Sequence, residues 1–247
     1  MTLSEVAEKM RDTTGAFSNR IALITGASRG IGRAAAVALA GAGAHVILVA
    51  RTVGGLEEVD DEIQKAGGTA TLVPLDLKDF PALDRLGQSI YERWGRLDAF
   101  FGNAGVLGAL TPLSHLEPKL FQELLDVNVT ANWRLIRSLD PLLRASDAGR
   151  ALFMSSGAAR KHTPFWGGYA MSKAALESLA LTYAAECEGT AVRVNILNPG
   201  PLRTKLRAKA FPGEDPETLQ PPDAVAPLIL ELLSPACAKN GDMVNLR

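Results

Sequence analysis

The chain is poor in cysteine, with Cys187 and Cys237 alone among its 247 residues. They lie far apart and lack CxxC or Cys/His ligand spacing, which argues against a disulfide framework and a zinc site. Two reduced thiols in a cytosolic protein are the expectation. Charge of one sign is also missing: 26 Lys and Arg stand against 27 Asp and Glu, so no basic field invites nucleic acid or an anionic membrane. The most apolar run, residues 34–50, is interrupted by Gly41, Gly43 and His45 and sits at the bottom of the spanning range of about 17–25 residues. A helix end, a glycine turn and a buried strand explain it better than a membrane span. Glu5, Glu8, Lys9 and Arg11 leave the N-terminus without the apolar core of a secretion signal, and a cytoplasmic location follows as the expectation. Linkers, low-complexity segments and 20–50-residue repeats are not seen.

What is present is ordinary globular material, 47% hydrophobic and 21% charged, enough for a sizeable core. Residues 1–18 read as a polar extension, helical from Ser4, ahead of one domain over 19–247. Apolar runs at Arg20–Thr25, Val46–Ala50, Ala70–Pro74, Leu97–Phe101, Ala151–Ser155, Val192–Leu197 and Met243–Leu246 predict about seven strands covered on both faces. Helical patterns separate them. Leu120, Leu124, Val127, Ala131, Leu135 and Leu139 line one face of a helix, with Ser114 and Glu117 predicted as its capping box. Asp79 is predicted to cap the helix after the third strand. Regular strand–helix alternation implies an α/β fold with a mostly parallel, doubly wound sheet between two helical layers.

The first strand runs directly into Thr25-Gly26-Ala27-Ser28-Arg29-Gly30-Ile31-Gly32, and a helix pattern follows at once. Such a G-x-x-x-G-x-G turn lets backbone approach a pyrophosphate and aims helix-start N–H groups at it. The second strand ends Val49-Ala50-Arg51-Thr52, without the acidic residue that would bind an adenosine 2′-hydroxyl. Arg51 and Arg29 are placed instead to clamp a 2′-phosphate, so NADP(H) is expected over NAD(H). Solvated surface arginines are the bland alternative.

Further motifs occur in order: Asp76-Leu77, Gly102-Asn103-Ala104-Gly105, Asn128, Ser156, Tyr169-Ala170-Met171-Ser172-Lys173, and Asn198-Pro199-Gly200 with Thr204. Taken singly, Tyr169 reads as an amphipathic surface tyrosine and Ser156 as a strand-end serine. As an ordered set, from about Asn19 onward, they resemble the short-chain dehydrogenase/reductase family, in its single-domain branch of roughly 250 residues. The segment Ala208–Pro222 resembles that of an uncharacterised bacterial branch.

Tyr169 and Lys173 stand four apart and share a helical face, where an ammonium is expected to lower the phenol pKa from its usual value of about 10. Ser156, just after an apolar strand, is placed to hold a substrate oxygen. The resemblance implies a Rossmann-like fold and hydride exchange between a nicotinamide and a carbonyl/hydroxyl pair. It also implies that Tyr169 transfers the proton, that Lys173 hydrogen-bonds the nicotinamide ribose, and that Asn128 breaks the helix locally to support a water link from Lys173. Asp76 and Leu77 would meet the adenine. Asn103, Ala104 and Gly105 would line the cofactor floor, Asn103 also steadying the sheet. Pro199, Gly200 and Thr204 would position the carboxamide. The family often has a second Asn where this chain has Gly102. Pairing through the helices of Asn128 and Tyr169 would give a homodimer or homotetramer.

Specificity is expected in the lid-like loop Leu202–Pro222, which begins with Arg203, Lys205, Arg207 and Lys209, and around Arg160, Lys161, His162, Phe165 and Trp166. The loop cations suit a solvated face better than an acidic substrate. A non-catalytic NADP(H)-binding sensor or scaffold is the alternative function, although it needs no proton relay. An epimerase or dehydratase would usually have a longer C-terminal substrate region.

Overall fold

The computed structural model describes residues 15–246. The helix expected from Ser4 lies outside the described residues. Of the segment assigned to an extension, Gly15–Ser18 are described, and Phe17 is buried in the core, its N–H bonded to the Ala42 carbonyl.

The strands are β1 (Ile21–Thr25), β2 (His45–Ala50), β3 (Thr69–Pro74), β4 (Ala99–Gly102), β5 (Arg150–Met154), β6 (Arg193–Asn198) and β7 (Met243–Asn245). All pairings are parallel, in the order β3-β2-β1-β4-β5-β6-β7. The helices are α1 (Gly30–Gly41), α2 (Val53–Lys65), α3 (Phe80–Trp94), α4 (Pro118–Leu125), α5 (Ala131–Ala145), α6 (Gly167–Glu186), α7 (Lys205–Ala210) and α8 (Ala226–Leu233).

Successive strand residues point to opposite faces, and both faces are covered, so the strands read as continuous apolar runs. In β1, Ala22 and Ile24 join α1, α2 and α8 in one core. Ile21 and Leu23 join α3, α5 and α6 in the other. The expected three layers follow. Strand order reverses between β1 and β4, and the carboxyl ends of those strands define the crevice where such sheets bind ligands.

Asp79 caps α3 as expected, accepting from Ala82 N at 3.1 Å. The capping box does not form. Ser114 lies in a separate 3₁₀ turn, Leu113–His115, while Glu117 precedes Pro118 without a side-chain cap. Proline at the first helical position needs no N–H partner and already has a helical φ, so the helix starts without that box. Between α4 and α5 the chain widens into a π-turn, Asp126–Thr130, centred on Asn128. Among the described residues no helix is long and apolar enough to cross a membrane.

Candidate active site

The glycine turn is dictated by space as well as by backbone angle. Gly26 has φ +65°, and a Cβ there would sit 3.0 Å from Asn103 Nδ2 and 3.1 Å from Ala104 Cα. A Cβ on Gly32 would meet the Gly26 carbonyl oxygen at 2.2 Å, so helix α1 can start against the turn only with glycine. Gly30 is also left-handed, at φ +56°. Helix α1 begins with no side-chain cap and no acidic residue in its first turn. Its N–H groups, Ser28 and Ile31 therefore surround a cradle whose chemistry fits an anionic pyrophosphate. Arg29 and Arg51 are exposed, and neither has an ion-pair partner among the described residues.

Asn103 ties the cradle to the sheet. Its Nδ2 donates to Thr25 O at 2.9 Å, and its N–H donates to Thr25 Oγ1 at 3.1 Å, as does that of Ala104. Leu77 is buried, and Asp76 turns its carboxylate onto Lys78 N at 3.0 Å. At the far side, Gly200 has φ +65° and Thr204 caps α7 by accepting from Arg207 N. Thr204 faces Gly30, with its methyl 3.8 Å from where a Cβ would stand. Pro199 and Gly200 follow β6 and lead into this contact.

The four expected chemical residues converge from different elements. Asn128, fully buried in the π-turn, accepts from Val106 N (2.8 Å) and donates to Val106 O and Ser172 Oγ (both 2.9 Å). The π-turn is therefore pinned from outside the helix. Asn132 Nδ2 donates to the Asn128 carbonyl at 3.0 Å, which serves a peptide oxygen that the turn displaces. Gly105 brings two of the residues together: a Cβ there would stand 3.2 Å from Asn128 Oδ1 and 3.3 Å from Lys173 Nζ. Ser156 follows β5, its Oγ accepting from Ala158 N.

Tyr169 is 5% exposed, and the Lys173 amine lies 6.0 Å from its ring centroid. The amine donates to Met154 O at 2.8 Å. Burial lowers the Lys173 pKa to about 8, with nearby Glu177 opposing. The Tyr169 phenol is shifted upward, against expectation. Burial penalises its anion, and the opposing influence comes from the Ser156 hydroxyl.

Glu177 was not among the expected residues. It lies one turn beyond Lys173, 8% exposed, taking Ser155 Oγ at 2.5 Å and Arg160 Nε at 3.3 Å. Its four-residue step from Lys173 was readable, but that spacing usually marks a solvated surface pair.

The loop cations are largely engaged: Arg203 with Glu217, Arg207 with Glu214, and Lys209 with the Gly108 carbonyl. Lys161, His162 and Phe165 are exposed, whereas Trp166 packs on Tyr169.

A parallel α/β sheet with an uncapped glycine turn at its switch point defines a nucleotide-binding class. Within it, residues 20–215 match the short chain dehydrogenase family model. The chain belongs to that family and is an oxidoreductase of the kind that acts on CH–OH/C=O groups with NAD(P). It is 42% identical over 220 residues to the uncharacterized oxidoreductase YciK of Escherichia coli K12, covering 88% of this chain and 87% of that one. A short chain dehydrogenase structure from Shigella flexneri 2a, complexed with NADP, superposes with TM-score 0.90 at 39% identity, covering 94% of this chain and 98% of that one. An uncharacterized NAD-dependent oxidoreductase of Mycobacterium tuberculosis is 34% identical over 206 residues, 78% of this chain and 74% of its own.

Proposed function

We propose that the chain interconverts a carbonyl and a secondary alcohol, with NADP(H) preferred over NAD(H) and Tyr169 as the proton-transfer residue. The observation that carries this is the approach of Asn128 and Lys173 to one glycine, Gly105, beside the phenol and the Ser156 hydroxyl. Gly26, Ser28, Arg29, Gly30, Ile31, Gly32 and Arg51 would hold the phosphates. Asp76 and Leu77 would hold the adenine end, and Asn103, Ala104, Gly105, Pro199, Gly200 and Thr204 the nicotinamide end. When bound, NADPH supplies the hydride that reduces the carbonyl carbon.

In this reading the Ser156 hydroxyl donates to the carbonyl oxygen and fixes its place. Tyr169 gives its phenolic proton to that oxygen, completing the alcohol. The phenolate left behind is stabilised by the Lys173 ammonium. Asn128 holds the neighbouring backbone open so that the proton can be replaced from solvent.

Residues 19–247 would form one catalytic unit. Phe121, Trp133 and Leu181 stand exposed on α4, α5 and α6, which supports a homodimer or homotetramer packed through those helices. The near-neutral charge and lack of a membrane-crossing helix among the described residues favour cytoplasmic residence and no nucleic-acid partner.

NADPH absorbance across a panel of ketones and aldehydes tests the reading. Turnover of any member supports it. No turnover, with a Tyr169→Phe variant that keeps all cellular function, would favour a cofactor-binding sensor.

A further inference from the structure

Beside Ser156 and Lys173, an apolar surface packs on Tyr169. Leu107 and Leu124 bury it, with Trp166, Leu206 and Ala210 packed around them. The Trp166 ring lies 6.1 Å from that of Tyr169, edge-on, and 5.5 Å from that of Phe211 at the end of α7.

The cations that border this surface are already engaged by the protein itself. Arg207 grips Glu214 through two contacts of 2.6 Å and lies 3.7 Å over the outer aromatic, Phe211. Lys209 is tethered to the Gly108 carbonyl at 2.8 Å, and Arg203 pairs with Glu217 at the base of the loop. Lys161 and Lys205 are exposed to solvent. A carboxylate or phosphate seated against Trp166 would lose its water and meet an Arg207 already held by Glu214 and a Lys209 already held by the Gly108 carbonyl.

From this arrangement we propose that the site takes an uncharged carbonyl compound carrying a hydrophobic substituent, held beneath α7 against Trp166 and Phe211. The proposal rests on the oxidoreductase reading above. The substituent would replace the contacts that Leu206, Ala210 and Trp166 now make around the phenol. The carbonyl oxygen would be the substrate's one polar handle, met by Ser156 and Tyr169. Placing charge on the substituent should therefore weaken binding far more than changing its size.

Two aldehydes of similar shape, 4-methylbenzaldehyde and 4-carboxybenzaldehyde, separate the possibilities when NADPH oxidation is followed. The expected result is kcat/KM at least about tenfold higher for the methyl compound, about 1.4 kcal/mol of discrimination. Phe211→Ala and Trp166→Ala should raise KM for the methyl compound several-fold, erode the preference and leave NADPH affinity unchanged. Equal rates, or a preference for the carboxylate, would overturn the proposal.

Calorimetric titration of the NADPH-loaded protein with the matching 4-methyl and 4-carboxy benzyl alcohols, which the reduced cofactor cannot oxidise, gives a readout independent of turnover. Selective binding of the methyl alcohol without oxidation or reduction of any compound would sink the catalytic reading while supporting the substrate class. Turnover with no selectivity in either assay would do the reverse. Absence of both turnover and binding would count against both.

Discussion

Lys173 donates its amine proton to the Met154 carbonyl at 2.8 Å, so the last residue of β5 fixes the ammonium one helical turn from Tyr169. An amine so buried has its pKa depressed to about 8, and the Glu177 carboxylate resists the depression. The ammonium is the active form in the proposed reaction. It is present below about pH 8 and lost as pH rises through that value, so reductive kcat should fall along that limb. Glu177→Gln removes the anion that favours the charged amine, and the fall should move to lower pH. A pH profile of kcat for both proteins checks this. An unmoved profile with equal thermal stability would show that Glu177 does not act on Lys173.

Gly102 explains why a common family asparagine is missing. A Cβ there would stand 2.6 Å from Asn132 Oδ1 and 2.9 Å from the Phe153 ring. Gly102→Ala should destabilise the protein by about 1–3 kcal/mol through overpacking. Adding Asn132→Ala removes the obstructing amide, so the double variant should be more stable than the sum of the two losses predicts. Urea denaturation of the four proteins reads the coupling, and strict additivity would contradict it.

Asn128 satisfies both backbone groups of Val106 from a fully buried position. Replacing it with Ala takes the partner from a half-buried donor and acceptor and from the buried Ser172 hydroxyl, for a loss of roughly 1–3 kcal/mol in urea-unfolding stability. A loss below about 0.5 kcal/mol would mean that the π-turn does not depend on this side chain.

The two exposed arginines beside the cradle give a charge test. Arg29→Ala and Arg51→Ala should each weaken NADPH binding about tenfold, equivalent to about 1.4 kcal/mol, and leave NADH binding nearly unchanged. Fluorescence titration of both cofactors decides it. Equal weakening of both would place the arginines away from the 2′-phosphate.

Much of this architecture was legible because parallel strands covered on both faces must be continuously apolar. At the start of β4, burial reads as pairing. Leu97 is buried, but its N–H bonds to Leu142 O in α5, and β4 begins at Ala99. The glycine turn was readable because Gly26 and Gly32 answer local steric demands. The upward shift of the Tyr169 phenol was not, because it depends on Leu107, Leu124 and Trp166 arriving from separate segments. Glu177 escaped notice for the same reason: only Ser155 and Arg160, brought in by β5 and its following turn, make it a buried carboxylate.

The most direct test is a comparison of wild-type protein with Tyr169→Phe, which keeps the ring and removes the proton. With any carbonyl substrate that oxidises NADPH, kcat should drop by roughly 10²–10⁴-fold while the Kd for NADPH stays within about twofold. A variant that turns over at the wild-type rate would contradict the assignment of proton transfer to this phenol.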